Sequence, residues 1–347
     1  MTAFVTGGSG FVGGAVIRAL IAQGEPVRAL ARSPVAKSTV IDLGAEPVAG
    51  DLIDRSALAD AMNGCDVVFH VAGVNRMCPR DPTELDAINI AGAVTAVHAA
   101  ADARIARLVL TSSSAAIGER PGTLGTEDSV HRGRFLSRYE RSKYLGERQA
   151  RAAGRERGIE VVTVNPSSVQ GPGRTTGSAK LLLYAARART AALLDTSFSI
   201  VDVDDCAIGH LLAARNGVAD RRYLLSGATL TMRSAASLLR RQIGRPQRVV
   251  WIPRSLVRAV TPLTGFVTRF REDPAVCPAT IRSLLHGHRY DGSRATRELG
   301  LVYRSLEETL ERVLTWYRTH GMLPKAHGVG FRSVERPAGP VDGRNRG

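Results

Sequence analysis

A glycine-rich segment near the start of the chain constrains the fold more than any other feature. Five glycines occur in the nine residues Thr6–Gly14, TGGSGFVGG. A glycine inside a regular element costs about 0.5–1 kcal/mol relative to alanine, so the cluster needs a physical reason. The β-prone run TAFVT precedes it, and from Phe11 apolar residues recur with helical spacing until about Gly24. The glycines therefore occupy a turn between a strand and a helix.

The spacing of these glycines is typical of a loop that holds a dinucleotide. It fits G-x-G-x-x-G through Gly8, Gly10 and Gly13, and equally G-x-x-G-x-x-G through Gly7, Gly10 and Gly13. In such a turn one glycine permits a sharp bend, one lets the backbone approach a pyrophosphate, and one lets helix and strand pack closely. The N-terminus of the helix offers N–H groups to the phosphates. A purely structural turn is the alternative, and the strand-to-helix context favours the dinucleotide site.

Strand-like and helical segments alternate through the first half of the chain. The strand-like runs after the first are short and apolar: PVRALA, AEPVAGD, CDVVFHVAG, RLVLTSSS and IEVVTVNP. Apolar strands that alternate with helices indicate a parallel sheet covered on both faces. After Pro166 the pattern loosens. There KLLLYAARART is predicted to be helical, and SFSIVDVDDCAIGHLLAA to return to the sheet and continue into a helix.

These patterns predict an α/β chain with two units and a tail. A Rossmann doubly wound parallel sheet is expected from residues 1–166 and 198–228. A smaller, mostly helical substrate-binding lobe is expected from residues 167–197 and 229–323, where Ser305 and Glu308 form a capping box on the last clear helix. Residues 324–347 are rich in glycine, proline and arginine and are predicted to be a disordered basic tail.

Composition excludes several classes of function. The formal net charge is +15, but only four of the 47 basic residues are lysine and the arginines are scattered, without a basic helix interleaved with aromatics. We therefore predict no nucleic-acid partner, although a basic surface also attracts small anions. No apolar run approaches the roughly 18 residues of a membrane span, and the N-terminus lacks a secretory signal, so a cytoplasmic location is expected. The four cysteines contain no C-x-x-C pair, which favours reduced thiols over zinc or disulfides, and no metal site is predicted.

The second strand indicates which dinucleotide is bound. In NAD sites an acidic residue at the end of this strand binds the ribose 2′-OH. Here the strand reads VRALARSP, with Arg32 where the acid would stand, Ser33 beside it and Lys37 nearby. An arginine suits a 2′-phosphate, so NADP(H) is favoured over NAD(H). The alternative is that Arg32 is a solvated charge at the end of a strand.

A tyrosine and a lysine one helical turn apart suggest acid–base chemistry. Tyr139 and Lys143 stand at i and i+4 in YERSK and so share one face of a predicted helix. Because a free phenol titrates near pH 10, we expect the ammonium to lower the pKa of Tyr139. The preceding strand ends in Thr111-Ser112-Ser113-Ser114, whose hydroxyls are expected at the ligand-binding edge of the sheet. An incidental pair on an exposed helix is the alternative.

From Thr2 to about Leu323 the chain resembles the extended short-chain dehydrogenase/reductase superfamily, also called the NAD-dependent epimerase/dehydratase family. The resemblance is carried by TGGSGFVGG, GDL, HVAG, NIAG, TSSS, YERSK, NPSSVQGPG and VDVDDCAIGHLL. It implies that Tyr139 is the acid–base residue and that Lys143 holds the nicotinamide ribose. The family serine lies five residues before a glycine, which selects Ser113 from Gly118 and leaves Ser112 and Ser114 open.

The same resemblance implies a set of cofactor contacts. Asn89 matches the family asparagine, whereas Ala93 stands where the family usually has threonine. The expected cofactor residues, besides Tyr139 and Lys143, are Gly7, Gly10, Phe11, Val12 and Gly13 at the pyrophosphate, Arg32 at the 2′-phosphate, Asp51 and Leu52 at the adenine, Ala72 and Gly73 at the middle, and Pro166 to Val169 at the nicotinamide end.

Within the superfamily, NPSSVQGPG and LARSP resemble the branch of dihydroflavonol reductases, cinnamoyl-CoA reductases and 3β-hydroxysteroid dehydrogenases. Three functions follow as hypotheses. The first is an NADP-dependent oxidoreductase that acts on a carbonyl or secondary alcohol of a small molecule. The second is an NAD-dependent nucleotide-sugar epimerase or dehydratase, and the third is a non-catalytic module on the same fold. A homodimer is common in the family, and no residue pattern here decides the oligomeric state.

Overall fold

The computed structural model describes residues 1–244, 246–268 and 276–324, with side chains described up to residue 265 and again from Val276. A seven-stranded parallel sheet forms its centre, in the order β10-β6-β5-β4-β1-β2-β3. The strands are β1 Ala3–Thr6, β2 Val27–Ala31, β3 Glu46–Ala49, β4 Val67–His70, β5 Arg107–Thr111, β6 Glu160–Pro166, β7 Ser168–Gln170, β8 Thr190–Leu194, β9 Ser197–Asp202, β10 Arg222–Leu225, β11 Ala228–Thr231 and β12 Arg248–Ile252. The predicted Rossmann doubly wound sheet is confirmed.

Helices follow most of the strands. They are α1 Phe11–Ala22, α2 Pro34–Asp42, α3 Arg55–Met62, α4 Thr83–Asp86, α5 Gly92–Asp102, α6 Arg138–Arg157, α7 Ala179–Arg187, α8 Val203–Asn216, α9 Met232–Ile243, α10 Arg254–Thr268, α11 Pro278–His286 and α12 Leu306–Thr319. A π-helical turn, Ala87–Ala91, joins α4 to α5, and a 3₁₀ turn, Ser114–Ile117, follows β5. Within the described ranges, no helix combines the length and the apolar character needed to cross a bilayer.

The apolar strands of the central sheet are buried on both faces. In β1, Ala3 and Val5 belong to one core cluster and Phe4 to the other, because successive side chains of a strand point to opposite faces. Helices α1 and α8 pack against each other on the first face, and α3, α5 and α6 cover the second. This two-sided cover explains why the strands read as continuous apolar runs.

A second layer of structure follows β6 and includes two small sheets. Strand β9 lies between β7 and β11, and β8 pairs in parallel with β12. Helices α7, α9 and α12 bury an apolar cluster that includes Ala186, Leu239 and Leu314. The division of the chain into two units stays a prediction, and the predicted tail lies outside the described residues except for Pro324.

Two secondary-structure predictions in this second layer are wrong. The segment SFSIVD does not return to the central sheet, because β9 pairs with β7 and β11 while β10 supplies the seventh central strand. The helix predicted for KLLLYAARART ends at Arg187, and Thr190 begins β8. Pairing of β8 with β12 overrides the helical preference of the local alanines and leucines, a tertiary effect that a local pattern does not contain.

The prediction of reduced thiols is wrong for two of the four cysteines. Cys78 and Cys277 form a disulfide between residues 199 positions apart, while Cys65 and Cys206 are buried free thiols. Cys78 lies in the loop after β4, and Cys277 is the N-cap of α11. The pair was not predicted because the folding of the chain, and not the spacing of cysteines, brings these residues together.

Candidate active site

The glycine loop between β1 and α1 shows which of the two glycine spacings is structurally required. Gly7 has φ +71°, and a Cβ there would lie 2.6 Å from the Ala72 amide nitrogen. A Cβ on Gly13 would overlap the Gly7 carbonyl oxygen. Gly10 is the N-cap of α1 and donates its N–H to that oxygen at 3.0 Å. The spacing Gly7-Gly10-Gly13 therefore marks the backbone contacts, whereas Gly8 faces the end of the Ile17 side chain.

This loop fits the pyrophosphate of a dinucleotide. The N-cap Gly10 has no side chain to satisfy the first turn of α1, so the N–H groups of Phe11, Val12 and Gly13 lack capping partners. A Cβ at Gly7 or Gly13 would overlap backbone atoms of the protein itself, so only glycine allows the loop to pack this closely. A helix N-terminus with exposed N–H groups and a positive dipole end favours bound phosphate.

The adenine end of the predicted cofactor site lies at the carboxyl ends of β2 and β3. Arg32 is exposed directly after β2, and Ser33 caps α2 by accepting a hydrogen bond from the Ala36 amide at 3.2 Å. Among the described residues, none hydrogen-bonds or ion-pairs with the Arg32 guanidinium. After β3, Asp51 accepts a hydrogen bond from the Ile53 amide, and Leu52 is buried against Gly92.

The middle of the site is formed after β4. The side-chain amide of Asn89, in the π-helical turn, pairs with both backbone groups of Val74, at 2.8 and 2.9 Å. Ala72 donates its N–H to the Thr6 hydroxyl at 3.2 Å. A Cβ on Gly73 would lie 3.2 Å from Asn89 Oδ1 and 3.5 Å from Lys143 Nζ. The Lys143 amine therefore lies beside the segment predicted to contact the middle of the cofactor.

Tyr139 and Lys143 project from the first turns of α6 toward the end of β5. The Ser137 hydroxyl caps this helix by accepting from the Glu140 amide at 3.0 Å. The Lys143 ammonium donates to the Thr111 carbonyl oxygen at 2.8 Å, and the Ser113 side chain is close enough to the Tyr139 phenol to act on its pKa. The predicted Ser, Tyr and Lys side chains thus gather at one edge of the sheet.

The expectation that Lys143 lowers the pKa of Tyr139 is wrong. Burial raises the pKa of Tyr139, and the opposing contributions come from the hydrogen bond of Ser113 and the charge of Arg174. Burial also lowers the pKa of Lys143 to about 8, while the Glu147 carboxylate acts to raise it. The Lys143 amine donates to the Thr111 carbonyl oxygen, and burial outweighs the groups that act to lower the pKa of Tyr139.

The three serines after β5 have different partners. Ser112 donates its hydroxyl to the Glu147 carboxylate at 2.5 Å, and the Ser114 side chain acts to lower the pKa of Tyr290. Ser113 is half-buried and contacts Tyr139. Of the three hydroxyls that the sequence left open, Ser113 is therefore the one that faces the predicted acid–base residue.

Sequence reasoning missed Arg174 at the predicted nicotinamide end. Pro166 ends β6, Val169 lies in β7, and Arg174 follows the Gly-Pro-Gly turn after that strand. Its guanidinium donates to the Val169 carbonyl at 2.7 Å and lies 5.3 Å from the centre of the Phe11 ring. A half-buried cation therefore lies between the glycine loop and Tyr139. The sequence feature that could have identified Arg174 is its position directly after a glycine turn at the end of a strand.

Tyr139 also lines a largely apolar cavity of about 320 Å³. Its wall is built from α7, α9, α12 and the small sheet through Leu181, Leu182, Phe198, Leu238, Leu239, Leu310 and Val313. A polar cluster lies on another side of the cavity, where Glu119 Oε1 contacts His286 Nε2 at 3.2 Å and His288 Nδ1 at 2.7 Å. A carboxylate and two histidines could also be metal ligands, but two zinc ligands lie about 3.3 Å apart in a tetrahedral site. The 2.7 Å between Glu119 Oε1 and His288 Nδ1 is shorter than that and indicates a hydrogen bond.

Sequence comparison agrees with this architecture. The sequence model of the NAD dependent epimerase/dehydratase family matches residues 3–225. The chain belongs to this family. The family and the names of its relatives indicate that the protein is an NAD(P)-dependent oxidoreductase of the extended short-chain dehydrogenase/reductase type.

Three similar proteins align with nearly the whole of this chain. Sterol demethylase protein B of Methylococcus capsulatus is 32% identical over 329 residues, 93% of this chain and 100% of its own. A 4-hydroxy-2-methyl-3-oxo-4-farnesyl-3,4-dihydroquinoline-1-oxide ketoreductase of Stigmatella aurantiaca is 34% identical over 312 residues, 88% of this chain and 92% of its own. The crystal structure of gox2253 has a TM-score of 0.81 at 30% identity and covers 93% of this chain and 99% of its own.

Proposed function

We propose that the protein is an NADP-dependent oxidoreductase that interconverts a ketone and a secondary alcohol on an apolar substrate. The observation that carries the proposal is Tyr139, which lies beside Ser113 and also lines the apolar cavity. An acid–base group in the wall of an apolar cavity can transfer a proton to a substrate oxygen while the rest of the substrate is held away from water.

In this proposal the bound nicotinamide supplies or accepts the hydride at the substrate carbon. Tyr139 holds the proton that moves to or from the substrate oxygen, and its raised pKa keeps the phenol protonated at neutral pH. Ser113 orients the oxygen through a second hydrogen bond. The Lys143 ammonium is fixed on the Thr111 carbonyl beside Gly73, where it would hold the ribose. Alignment of these groups supplies the catalytic gain.

The cavity wall and two relatives support an apolar substrate. Leucine, valine and phenylalanine side chains dominate the lining near α9 and α12. The relative of Methylococcus capsulatus is named for a sterol, and that of Stigmatella aurantiaca for a ketone with a farnesyl chain. Burial of such a chain is favourable by about 25 cal/mol per Å² of apolar surface.

Exchange of Tyr139 for phenylalanine tests the acid–base role. We expect NADPH-dependent reduction within a panel of apolar ketones, including methyl nonyl ketone and steroid ketones. In Tyr139→Phe the kcat/KM of the best ketone should fall by about 100- to 10,000-fold, because the proton donor is lost. The matched control is Tyr184→Phe, an exposed tyrosine on α7. Equal turnover by Tyr139→Phe and the wild type would contradict the role.

Exchange of Arg32 tests the cofactor preference. The exposed guanidinium has no partner among the described residues and can meet a 2′-phosphate. We expect Arg32→Ala to raise the KM for NADPH by about 10- to 100-fold, the value of a charge-assisted hydrogen bond, and to leave the KM for NADH within about twofold. An equal rise in the KM values for NADPH and NADH would show that Arg32 does not contact the 2′-phosphate.

An NAD-dependent nucleotide-sugar epimerase or dehydratase is the alternative function. It would use the same Tyr139 and Lys143. Polar lining residues such as Gln170 and Ser178 could bind sugar hydroxyls, whereas the leucines of α7, α9 and α12 favour an apolar substrate. Absorbance after gel filtration separates the two classes, because an epimerase retains its nicotinamide and a reductase exchanges it. The cytoplasmic location and a homodimer stay predictions.

A further inference from the structure

Five arginines line a second pocket on the substrate side of the molecule. Arg254 and Arg258 lie one turn apart on α10, Arg282 is on α11, Arg289 follows α11, and Arg134 precedes α6. Arg254 is half-buried and the other four are exposed. The pocket has a volume of about 900 Å³, which is sufficient for a nucleotide-sized group.

Among the described residues, carboxylates do not balance these five charges. The guanidinium of Arg254 donates to the backbone carbonyls of Asp195 and Leu285, and that of Arg282 donates to the Leu136 carbonyl at 3.0 Å. Within the part of the chain that the structure describes, none of the five arginines forms an ion pair. This differs from surface arginines such as Arg55, which pairs with Asp102 at 2.6 Å.

The acidic residue in the lining of this pocket is already neutralised. Asp195 pairs with Arg233, whose Nε lies 2.6 Å from its carboxylate and which is not among the lining residues. The net charge of the pocket is therefore strongly positive. Clustered guanidinium groups repel one another, and a bound anion removes that repulsion. Their planar fork also matches the oxygens of phosphate.

The basic pocket adjoins the apolar cavity. Leu136 and Ser197 line both spaces, so the two are neighbours between the start of α6 and β9. Adjacent spaces of these two kinds suit one molecule with an apolar body and an anionic end. The glycine loop and Arg32 are not part of this lining, so the pocket is separate from the predicted cofactor phosphates.

We propose that the pocket of Arg134, Arg254, Arg258, Arg282 and Arg289 binds a phosphate-bearing head group of the substrate, whose apolar part lies in the cavity beside Tyr139. The apolar part of this substrate is inferred from the proposed function. The phosphate head group is inferred from the five arginines, which form no ion pair among the described residues. The substrate class is therefore an apolar ketone or alcohol joined to a phosphate or pyrophosphate.

Binding of inorganic pyrophosphate tests the pocket independently of turnover. The protein is first saturated with NADP⁺, which occupies the predicted cofactor site, and binding is measured by titration calorimetry at low salt. We expect a dissociation constant below about 1 mM and at least an approximately tenfold weakening in Arg258→Ala/Arg289→Ala. These two side chains are exposed and support no backbone carbonyl, so the variant should fold.

Arg240→Ala is the matched control, because Arg240 is exposed on α9 and does not line the pocket. Its pyrophosphate affinity should stay within about twofold of wild type, since unspecific surface attraction would affect all exposed arginines alike. Absence of binding, or equal weakening in the control and the double variant, would overturn the proposal.

A pair of ketones tests whether the anion is part of the substrate. Methyl nonyl ketone is compared with the same ketone carrying a phosphate on the end of its nonyl chain. We expect the phosphate to lower KM by about tenfold or more in the wild type, and the double variant to lose this advantage. If both ketones turn over equally, the head-group assignment fails. If neither turns over while pyrophosphate binding needs Arg258 and Arg289, the proposed function fails and the anion site stands.

Discussion

Lys143 is the residue whose environment leads most directly to a pH effect. Burial lowers the pKa of its ammonium to about 8, so the side chain loses its charge as the pH rises through that value. The charged form donates to the Thr111 carbonyl and lies beside Gly73. We therefore expect kcat/KM for ketone reduction to fall above about pH 8, because a neutral amine holds the proposed ribose contacts less strongly.

The variant Lys143→Arg separates this effect from a general loss of activity at alkaline pH. Arginine stays charged over the whole range, so the fall should move to higher pH even if the absolute rate is lower. Lys180→Arg is the control, since Lys180 is exposed near α7 and should leave the pH profile unchanged. A Lys143→Arg profile that still falls at pH 8 would assign the titration to another group.

At the residue scale, a residue type and a fixed spacing were sufficient to select candidates. The family spacing from Gly118 selected Ser113, whose side chain acts on the pKa of Tyr139, and its catalytic role stays a prediction. The expected electrostatic role of Lys143 was wrong because burial, which a local spacing does not show, raises the pKa of Tyr139. Arg174 was missed because only the return of the chain through β7 brings it toward Tyr139.

The glycine loop permits a prediction at the scale of one element, with two adjacent residues of opposite behaviour. A Cβ on Gly13 would overlap the Gly7 carbonyl oxygen, whereas the nearest atoms to a Cβ on Gly14 lie at 3.4 Å, an ordinary contact. Gly13→Ala should therefore lower the free energy of unfolding by about 1–3 kcal/mol through overpacking and weaken NADPH binding. Denaturant unfolding and nucleotide titration measure both effects.

Gly14→Ala is the matched control in the same helix. Alanine at that position should leave NADPH binding unchanged and raise the free energy of unfolding by up to about 1 kcal/mol, because it reduces the backbone freedom of the unfolded chain. If both variants bind NADPH like the wild type, close packing at Gly13 is not what forms the phosphate loop.

Elements with strong local patterns were predictable, and elements held by distant partners were not. The first six central strands and the helix of Tyr139 follow from apolar runs and helical periodicity. Strand β7 has three residues and β11 has four, too few to show a period. Strand β8 directly follows a helical stretch and exists because β12 pairs with it. Pairing between distant segments decides such strands.

At the scale of the whole molecule, one covalent link connects two walls of the apolar cavity. The loop that contains Cys78 also supplies Met77 to the cavity, and α11, which begins after Cys277, supplies Ser283 and Leu284. The cysteines are 199 residues apart, so their pairing depends on the complete fold and could not be read from local spacing. Disulfides are uncommon in cytosolic proteins, and a cytoplasmic location is predicted for this chain. The redox state of Cys78 and Cys277 is therefore worth measuring.

We expect the disulfide to stabilise the folded chain chiefly by restricting the unfolded one. Because it closes a long loop, its loss in Cys78→Ser/Cys277→Ser should lower the free energy of unfolding by about 2–4 kcal/mol. Dithiothreitol should destabilise the wild type to the same degree and leave the double variant unchanged. Cys65→Ser, which removes a free thiol, should keep the response to dithiothreitol. Thiol titration of unfolded, unreduced protein should find two reactive groups, and four would mean that Cys78 and Cys277 are not joined in solution.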